Sequence, residues 1–500
     1  MVIGAGLGAL AFAGYMAKNG FKVLVLEQHD IPGGYATTFT RKGGRFTFDV
    51  SLHQTAMSGS MKTMLKDLGV LDKVKFHKGK NLFRLITPNV DFTCPGGDPE
   101  KFESLLKEMF PKEKEGIHGF LKDMLDLNGE VQEFFQAGKL SLIGKITFPF
   151  RYPCMWGARN KSLEDYLNQH VSDPRVRSVL SVFCGYYGLP PDQLSGFYYM
   201  NASASYLKYG GSYPQGCSTA ISQAVVDFIE SKGGEVRTGK RVDKVLMKDR
   251  AAVGVRTTDG EEFRAAAVVA NCSAVTLFNK MFSPRALPES FRKKIRPLKP
   301  SVSSFIVWLA LNQDITDRVK DSHIFLETES DPNKAFQYCL EGRADMAPIG
   351  VCIYNNMYKD YSPPGTTVLS LVFTAGYEPW KPFEKDYFAG RRQDYHKKKQ
   401  QITRTLIQRV EEKLIPGLSG MIEVQEAGTP LTNVRYTLNT QGAIYGFEQS
   451  LDNTFMNRLS NRTPIKNLYL AGAWGEPGGG YTAVLLSGKK TFGMLMEDWA

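Results

Sequence analysis

The sequence predicts an α/β chain of two intertwined domains, one a Rossmann-like parallel sheet and the other a mixed sheet with added helices. Three observations predict it. Residues 1–34 read as strand, glycine turn, helix, strand and acid in that order; residues 467–481 hold a second glycine-rich strand-to-helix turn; and between them the hydrophobic spacing changes from strand-like to helical and back. Five hundred residues exceed what one core usually serves, in keeping with two domains. With 42% hydrophobic and 23% charged residues, disorder is not expected.

The first unit carries its own chemistry. Val2 and Ile3 form a first strand, and Gly4-Ala5-Gly6-Leu7-Gly8-Ala9 matches G-x-G-x-x-G/A with Ala9 in the third glycine slot. Leu10, Phe12, Ala13, Met16 and Ala17 then recur at helical spacing, Gly20 stands where a helix C-terminus favours positive φ, and residues 21–26 make a buried strand ending at Glu27. Gly4 permits the tight turn, Gly6 lets the backbone approach a pyrophosphate, and the new helix offers it free N–H groups and a positive dipole end. Glu27 lies where a carboxylate accepts hydrogen bonds from a ribose. Beyond it, the stretch from Gln28 through Gly33-Gly34 to Tyr35, and Arg41-Lys42-Gly43-Gly44-Arg45, resemble the extended adenine-nucleotide motif of FAD-dependent oxidoreductases. This resemblance implies FAD as cofactor, with residues 46–53 leading to the flavin.

The remaining elements follow in order. Residues 62–68, 99–110 and 115–135 read as amphipathic helices, 82–87 and 90–94 as a strand pair, and 162–183 as two further helices. Gly210-Gly211 opens a glycine-rich turn in which Ser218 is a candidate N-cap for a helix over 220–232. Residues 235–238, 241–247 and 268–270 are strands, with Asp259-Gly260 a hairpin turn. Residues 304–311, 350–354 and 367–373 would build a sheet, and 384–414 reads as one helix with Arg391, Arg392, Lys397, Lys398 and Lys399 on its outer face. The expected division is 1–60, 206–296 and 432–500 for the cofactor domain, and 61–205 and 297–431 for the substrate and membrane-facing domain.

At the C-terminal turn, Gly472-Ala473-Trp474-Gly475-Glu476-Pro477-Gly478-Gly479-Gly480 would let the main chain lie against a flat ring. The helix beginning at Tyr481 would then aim its positive end at that ring, favouring an anionic reduced form. No third dinucleotide turn is present, so no separate NAD(P)H domain is expected.

As a whole the chain resembles the phytoene desaturase, carotenoid isomerase and retinol saturase group of FAD-dependent oxidoreductases. The residues that carry the likeness are 4–34, Tyr213-Pro214-Gln215-Gly216, Thr429-Pro430-Leu431-Thr432 with Gly442-Ala443-Ile444-Tyr445-Gly446, and 468–488. Glu476 and Tyr481 depart from the residue types expected in the desaturase loop, and Thr482-Ala483 replace its usual Pro-Gly. The resemblance implies a two-domain, FAD-binding fold of the glutathione-reductase type. It implies FAD contacts at Gly472, Ala473, Gly479, Gly480, Thr482 and Ala483, and backbone contacts to adenine at Val242. It also implies desaturation, saturation or cis-trans isomerisation at carbon–carbon bonds of an apolar polyene or isoprenoid, with an external electron donor or acceptor of unknown identity. Glu476 is the leading acid–base candidate, through desolvation beside the flavin, followed by Tyr445 and Tyr481. Phe197, Tyr198, Tyr199, Tyr206 and Tyr209 are candidate tunnel aromatics. Two alternatives remain: an amine-oxidising flavoenzyme of the same fold, and a non-redox isoprenoid carrier. Three residues before the glycine turn are fewer than flavoproteins of this type carry, which points to a coding region that begins upstream.

Composition narrows partners and compartment. The formal charge is +11, but Lys and Arg are dispersed and no nucleic-acid motif appears, so nucleic acid is not an expected partner. Seven scattered cysteines lack C-x-x-C spacing and seven histidines lack H-E-x-x-H, so neither disulfides nor a metal is expected. With no signal peptide and no apolar run of about 18 residues read in the sequence, a cytoplasmic location is expected, with any membrane contact peripheral. Residues 139–156 mix bulky apolar and cationic side chains, as do peripheral segments on an anionic membrane surface and buried segments with snorkelling charges.

Overall fold

Short β runs at both ends of the chain, each followed at once by a glycine turn, meet in one parallel sheet. In the computed structural model, which describes residues 1–137, 144 and 146–500, its strand order is Leu468–Leu470, Val268–Ala270, Val2–Ile3, Leu24–Leu26 and Glu235–Arg237. Val2 sits between Val269 and Val25, so a central strand of two residues is covered on both sides. The apolar helix Leu7–Lys18 is buried along nearly its whole length. It lies against the C-terminal helix Tyr481–Trp499, where a side chain on Gly488 would come within 2.4 Å of the Gly8 carbonyl. The strands Val242–Lys248, Ala251–Thr257 and Glu262–Arg264 form an antiparallel sheet beside this unit.

The second sheet has seven strands, drawn from 81–95 and 303–428. Their order is Ile422–Gly428, Ser303–Leu311, Thr367–Ala375, Ile349–Ile353, His323–Leu326, Asn81–Ile86 and Asp91–Pro95. It is antiparallel except where Ile324 pairs with Arg84 in parallel. Alternation divides its faces: Phe305, Val307, Leu309 and Leu371 pack toward one core, whereas Ile306, Trp308 and Cys352 face the other way. The helices Lys114–Ala137, Leu163–His170, Pro174–Ser181 and Gly196–Tyr209 form a further apolar cluster over the edge of this sheet.

Three local expectations are corrected. The stretch 384–414 is two helices, Lys381–Phe388 and Gln393–Lys413, because Gly390 takes a left-handed φ of 83° between them. Its basic face is also less solvated than expected: Lys398 Nζ donates to Pro379 O at 2.8 Å and lies over the Trp380 ring, and Lys399 lies over Tyr395. Finally, the helix Cys217–Ser231 is capped by Gly216, while the Ser218 hydroxyl turns inward to Asp49. Of the aromatic and basic segment 139–156, residues 139–143 and 145 lie outside the described residues, and the rest includes the short helices Phe148–Arg151 and Pro153–Ala158. No helix among the described residues is long and apolar enough to cross a membrane, and no metal-ligating cluster occurs among them.

Candidate active site

A single cavity of about 870 Å³ runs from the N-terminal glycine turn, past the C-terminal glycine loop, to the seven-stranded sheet. The turn is built for an anionic dinucleotide. Gly4 N–H donates to Leu26 O at 2.8 Å with φ of 84°, and no side chain caps the helix that starts after Gly6, so its first-turn N–H groups face the cavity. Gly33 N–H donates to Ala5 O at 2.8 Å, bringing the second glycine pair against Gly6. Glu27 is held from two sides, Oε2 accepting from Ala5 N–H at 2.6 Å and Oε1 from His29 N–H at 2.9 Å. Each oxygen keeps lone pairs for a ribose.

The expected cofactor residues separate into two sets. Gly4, Gly6, Gly8, Glu27, Gln28, Gly33, Gly34, Arg41, Val242, Ala473, Gly479 and Gly480 line the cavity. Ala9, Arg45, Gly472, Thr482 and Ala483 do not. Ala9 is fully buried under the turn. Gly472 is a packing glycine, since its Cβ would meet Asn271 Oδ1 at 2.2 Å while Gly8 presses on it from the other side. Thr482 and Ala483 lie in the first turn of the last helix. Arg45 pairs with Glu423 at 2.7 Å, tying the Phe46–Asp49 hairpin to the strand Ile422–Gly428; Arg41 makes the corresponding tie to Glu426 at 2.6 Å from the cavity rim.

The flavin-facing loop is fixed by two residues that sequence reasoning missed. The buried Arg458 guanidinium donates to the carbonyls of Ala473 at 2.8 Å and Gly475 at 3.0 Å, and to Phe447, Glu448 and Asn453. Asn461 accepts from Glu476 N–H at 2.8 Å and donates to Ser487 and Thr491. Gly479 must be small: its Cβ would lie 2.8 Å from Tyr445 Cα.

Glu476 is not where an acid–base group is needed. Its carboxylate is paired with Lys490 of the last helix, and it does not line the cavity, so it leaves the set of acid–base candidates. Tyr445 and Tyr481 do line it, and burial pushes both phenols up. The Tyr481 hydroxyl is buried without a hydrogen-bond partner among the described residues. Of the candidate tunnel aromatics, Tyr198 and Tyr206 line the cavity, and Tyr198 donates to Gly479 O at 3.0 Å. Phe197 instead stacks on Phe455 at 4.2 Å, Tyr199 donates to Leu180 O at 2.5 Å in the core, and Tyr209 lies off the cavity.

Past the loop the cavity becomes apolar, walled by Tyr186, Tyr206, Phe325, Phe336, Ile306 and Val372. Two histidines face it here. Burial pulls His53 down to about 4 and His323 to about 3, so both are neutral, and His323 Nε2 is buried without a hydrogen-bond partner among the described residues. His53 lies in the stretch expected to lead to the flavin; nothing in its spacing marked His323.

A dinucleotide turn, an arginine-braced glycine loop and an apolar continuation define a flavin-dependent oxidoreductase of two-domain α/β architecture. The chain belongs to the flavin-containing amine oxidoreductase family, whose model matches residues 10–491, and its cofactor is FAD. It is similar to the chloroplastic prolycopene isomerase of Daucus carota, 27% identical over 514 residues that cover 98% of this chain and 78% of that one. It is likewise similar to the all-trans-retinol 13,14-reductase of Danio rerio, 27% identical over 505 residues covering 94% and 82%. These relatives match the carotenoid isomerase and retinol saturase group indicated by the motifs. In fold it resembles an oxidoreductase from Methanosarcina mazei, with a TM-score of 0.64 at 19% identity and 99% of each chain covered.

Proposed function

We propose that this enzyme acts on a carbon–carbon pair of an apolar polyene or isoprenoid. The observation that carries the reading is the continuity of the cavity, which passes from Ala473, Gly479 and Gly480 into a limb walled by aromatic and aliphatic side chains. The names of the curated relatives, which refer to a carotene and a retinoid, support the same substrate class. Bound FAD supplies the redox step at one carbon–carbon pair. The protein's part is orientation and exclusion of water: the sheet face holds the chain, and Tyr206 and Tyr186 close over it. Tyr481 Oη and Tyr445 Oη are the groups placed to hold or move a proton at the reacting carbons, with neutral His53 and His323 behind them.

An absorbance titration tests this. Anaerobically reduced holoenzyme mixed with a carotene or retinol should show reoxidation if the reaction is saturation, and oxidised holoenzyme should bleach if it is desaturation. Geometric isomers formed only after reduction would mark isomerisation. Polyenes that change neither flavin nor product would overturn the reading, and turnover of an amine instead would move the enzyme to amine oxidation.

We also infer a peripheral approach to an anionic membrane surface, from which such a substrate would be drawn. Phe135, Ile146 and Phe150 are 55%, 70% and 87% exposed, and the cationic Arg151 adjoins them. Sedimentation with phosphatidylserine vesicles should retain the wild type and release a Phe150→Ser variant; equal recovery of the two would refute this.

A further inference from the structure

The apolar limb contains a carboxyl group, that of Glu327, with no hydrogen-bond or ion-pair partner among the described residues. His323 and Phe325 alternate onto the cavity side of their strand, and the ladder continues one residue past Leu326, because Glu327 N–H donates to Ile86 O at 2.8 Å. Glu327 is therefore the next side chain on that face, roughly 13 Å beyond His323 at about 3.3 Å per residue. It lines the cavity with Ala335, Phe336, Cys339 and Thr374. No described residue gives its carboxyl a hydrogen bond or an ion pair, and burial alone pushes it up to about 8. Burial pushes up the thiols of Cys184 and Cys339, and both lie near enough to Glu327 for its charge to push them up further.

We propose that Glu327 is a specificity-determining subsite that binds a hydroxyl group at the far end of the polyene. The inference rests on the polyene reading above. A neutral carboxyl can donate to and accept from an alcohol at once, which suits a ligand that is apolar except at its tip. A hydrocarbon tip would cover the carboxyl without giving it a partner, and a site of that kind discriminates strongly against the analogue lacking the hydroxyl. An ammonium tip would require the ionised form, which burial opposes.

The test uses FAD-loaded enzyme and three probes that share one polyene: all-trans-retinol, its deoxy analogue ending in a methyl, and the corresponding primary amine. Affinity is read from the perturbation of the flavin spectrum. Wild type should bind the alcohol at least about tenfold more tightly than the deoxy polyene. Glu327→Leu should lose that preference while binding the deoxy polyene as well as wild type does, which also shows that the variant is folded. Glu327→Gln, still able to donate and accept, should keep most of the preference. A wild type without preference, or an E327L that keeps it, would overturn the subsite. Tighter binding of the amine, lost in E327Q, would replace it with an ion-pairing site. Wild type that binds the deoxy polyene without favouring the alcohol sinks this inference alone, whereas failure to bind either polyene sinks the proposed function with it.

Discussion

The Tyr213 hydroxyl donates to Asp49 Oδ2 at 2.6 Å, and both side chains are fully buried. Asp49 also accepts from Ser218 N–H at 2.8 Å, the Ser218 hydroxyl at 3.0 Å, and the Leu52 and Ser51 N–H groups, while its own carbonyl accepts from Trp308 at 2.7 Å. Asp49 thus joins the flavin-leading hairpin and the Tyr-Pro-Gln-Gly turn through its carboxyl, and the mixed sheet through its carbonyl. Asp49→Ala would strand several buried donors together and should cost about 3 kcal/mol or more, against about 1–3 kcal/mol for Tyr213→Phe. Urea denaturation of both variants measures this, and equal losses would contradict the hub role.

Gly8 touches the other glycine segment directly, its Cβ position lying 2.6 Å from Gly472 Cα. Neither backbone can give way without moving a helix or a strand end. Gly8→Ala should therefore purify with little FAD, and with stability lower by about 1–3 kcal/mol. The ratio of flavin to protein absorbance reads the first effect and thermal melting the second.

The pairing of Glu476 with Lys490 and the position of the buried Tyr481 hydroxyl at the cavity predict opposite kinetic outcomes. Tyr481→Phe should slow turnover by about 10²–10⁴-fold at unchanged flavin content, the usual contribution of a positioned proton donor. Glu476→Gln should leave turnover nearly unchanged, since that carboxylate does not reach the cavity. Steady-state rates with a polyene substrate decide between them.

His53 and His323 make the fold acid-sensitive. Their folded values, about 4 and about 3, lie below the ordinary 6.5, so as pH falls below about 6.5 the unfolded chain takes up protons that the folded one refuses. The stability they contribute is complete above that pH and is lost as pH falls toward the folded values. Between about pH 7 and pH 5 each histidine should account for about 2 kcal/mol of lost stability. Urea melts at the two pH values should show a smaller drop in a His53→Asn, His323→Asn double variant than in the wild type.

The sequence by itself determined the dinucleotide unit. Gly4, Gly6 and Gly8 act within a single turn of chain and Glu27 stands at the end of the next strand, so one short strand–helix–strand unit, in which spacing and geometry are nearly the same thing, places all four. It likewise marked Ala473, Gly479 and Gly480, because a glycine run between strand and helix has few uses. Tertiary structure decided the rest. Whether Glu476 works as an acid depends on Lys490, which one helix face brings to it, and whether Arg45 meets a nucleotide or Glu423 depends on a strand almost four hundred residues away. The break at Gly390 depended on a backbone angle that glycine permits but does not require. His53, which comes early in the chain, shares one cavity with His323 and Glu327, which come about 270 residues later. A side chain's proton affinity and its function are set by what surrounds it, and at these positions the surroundings come from distant parts of the chain.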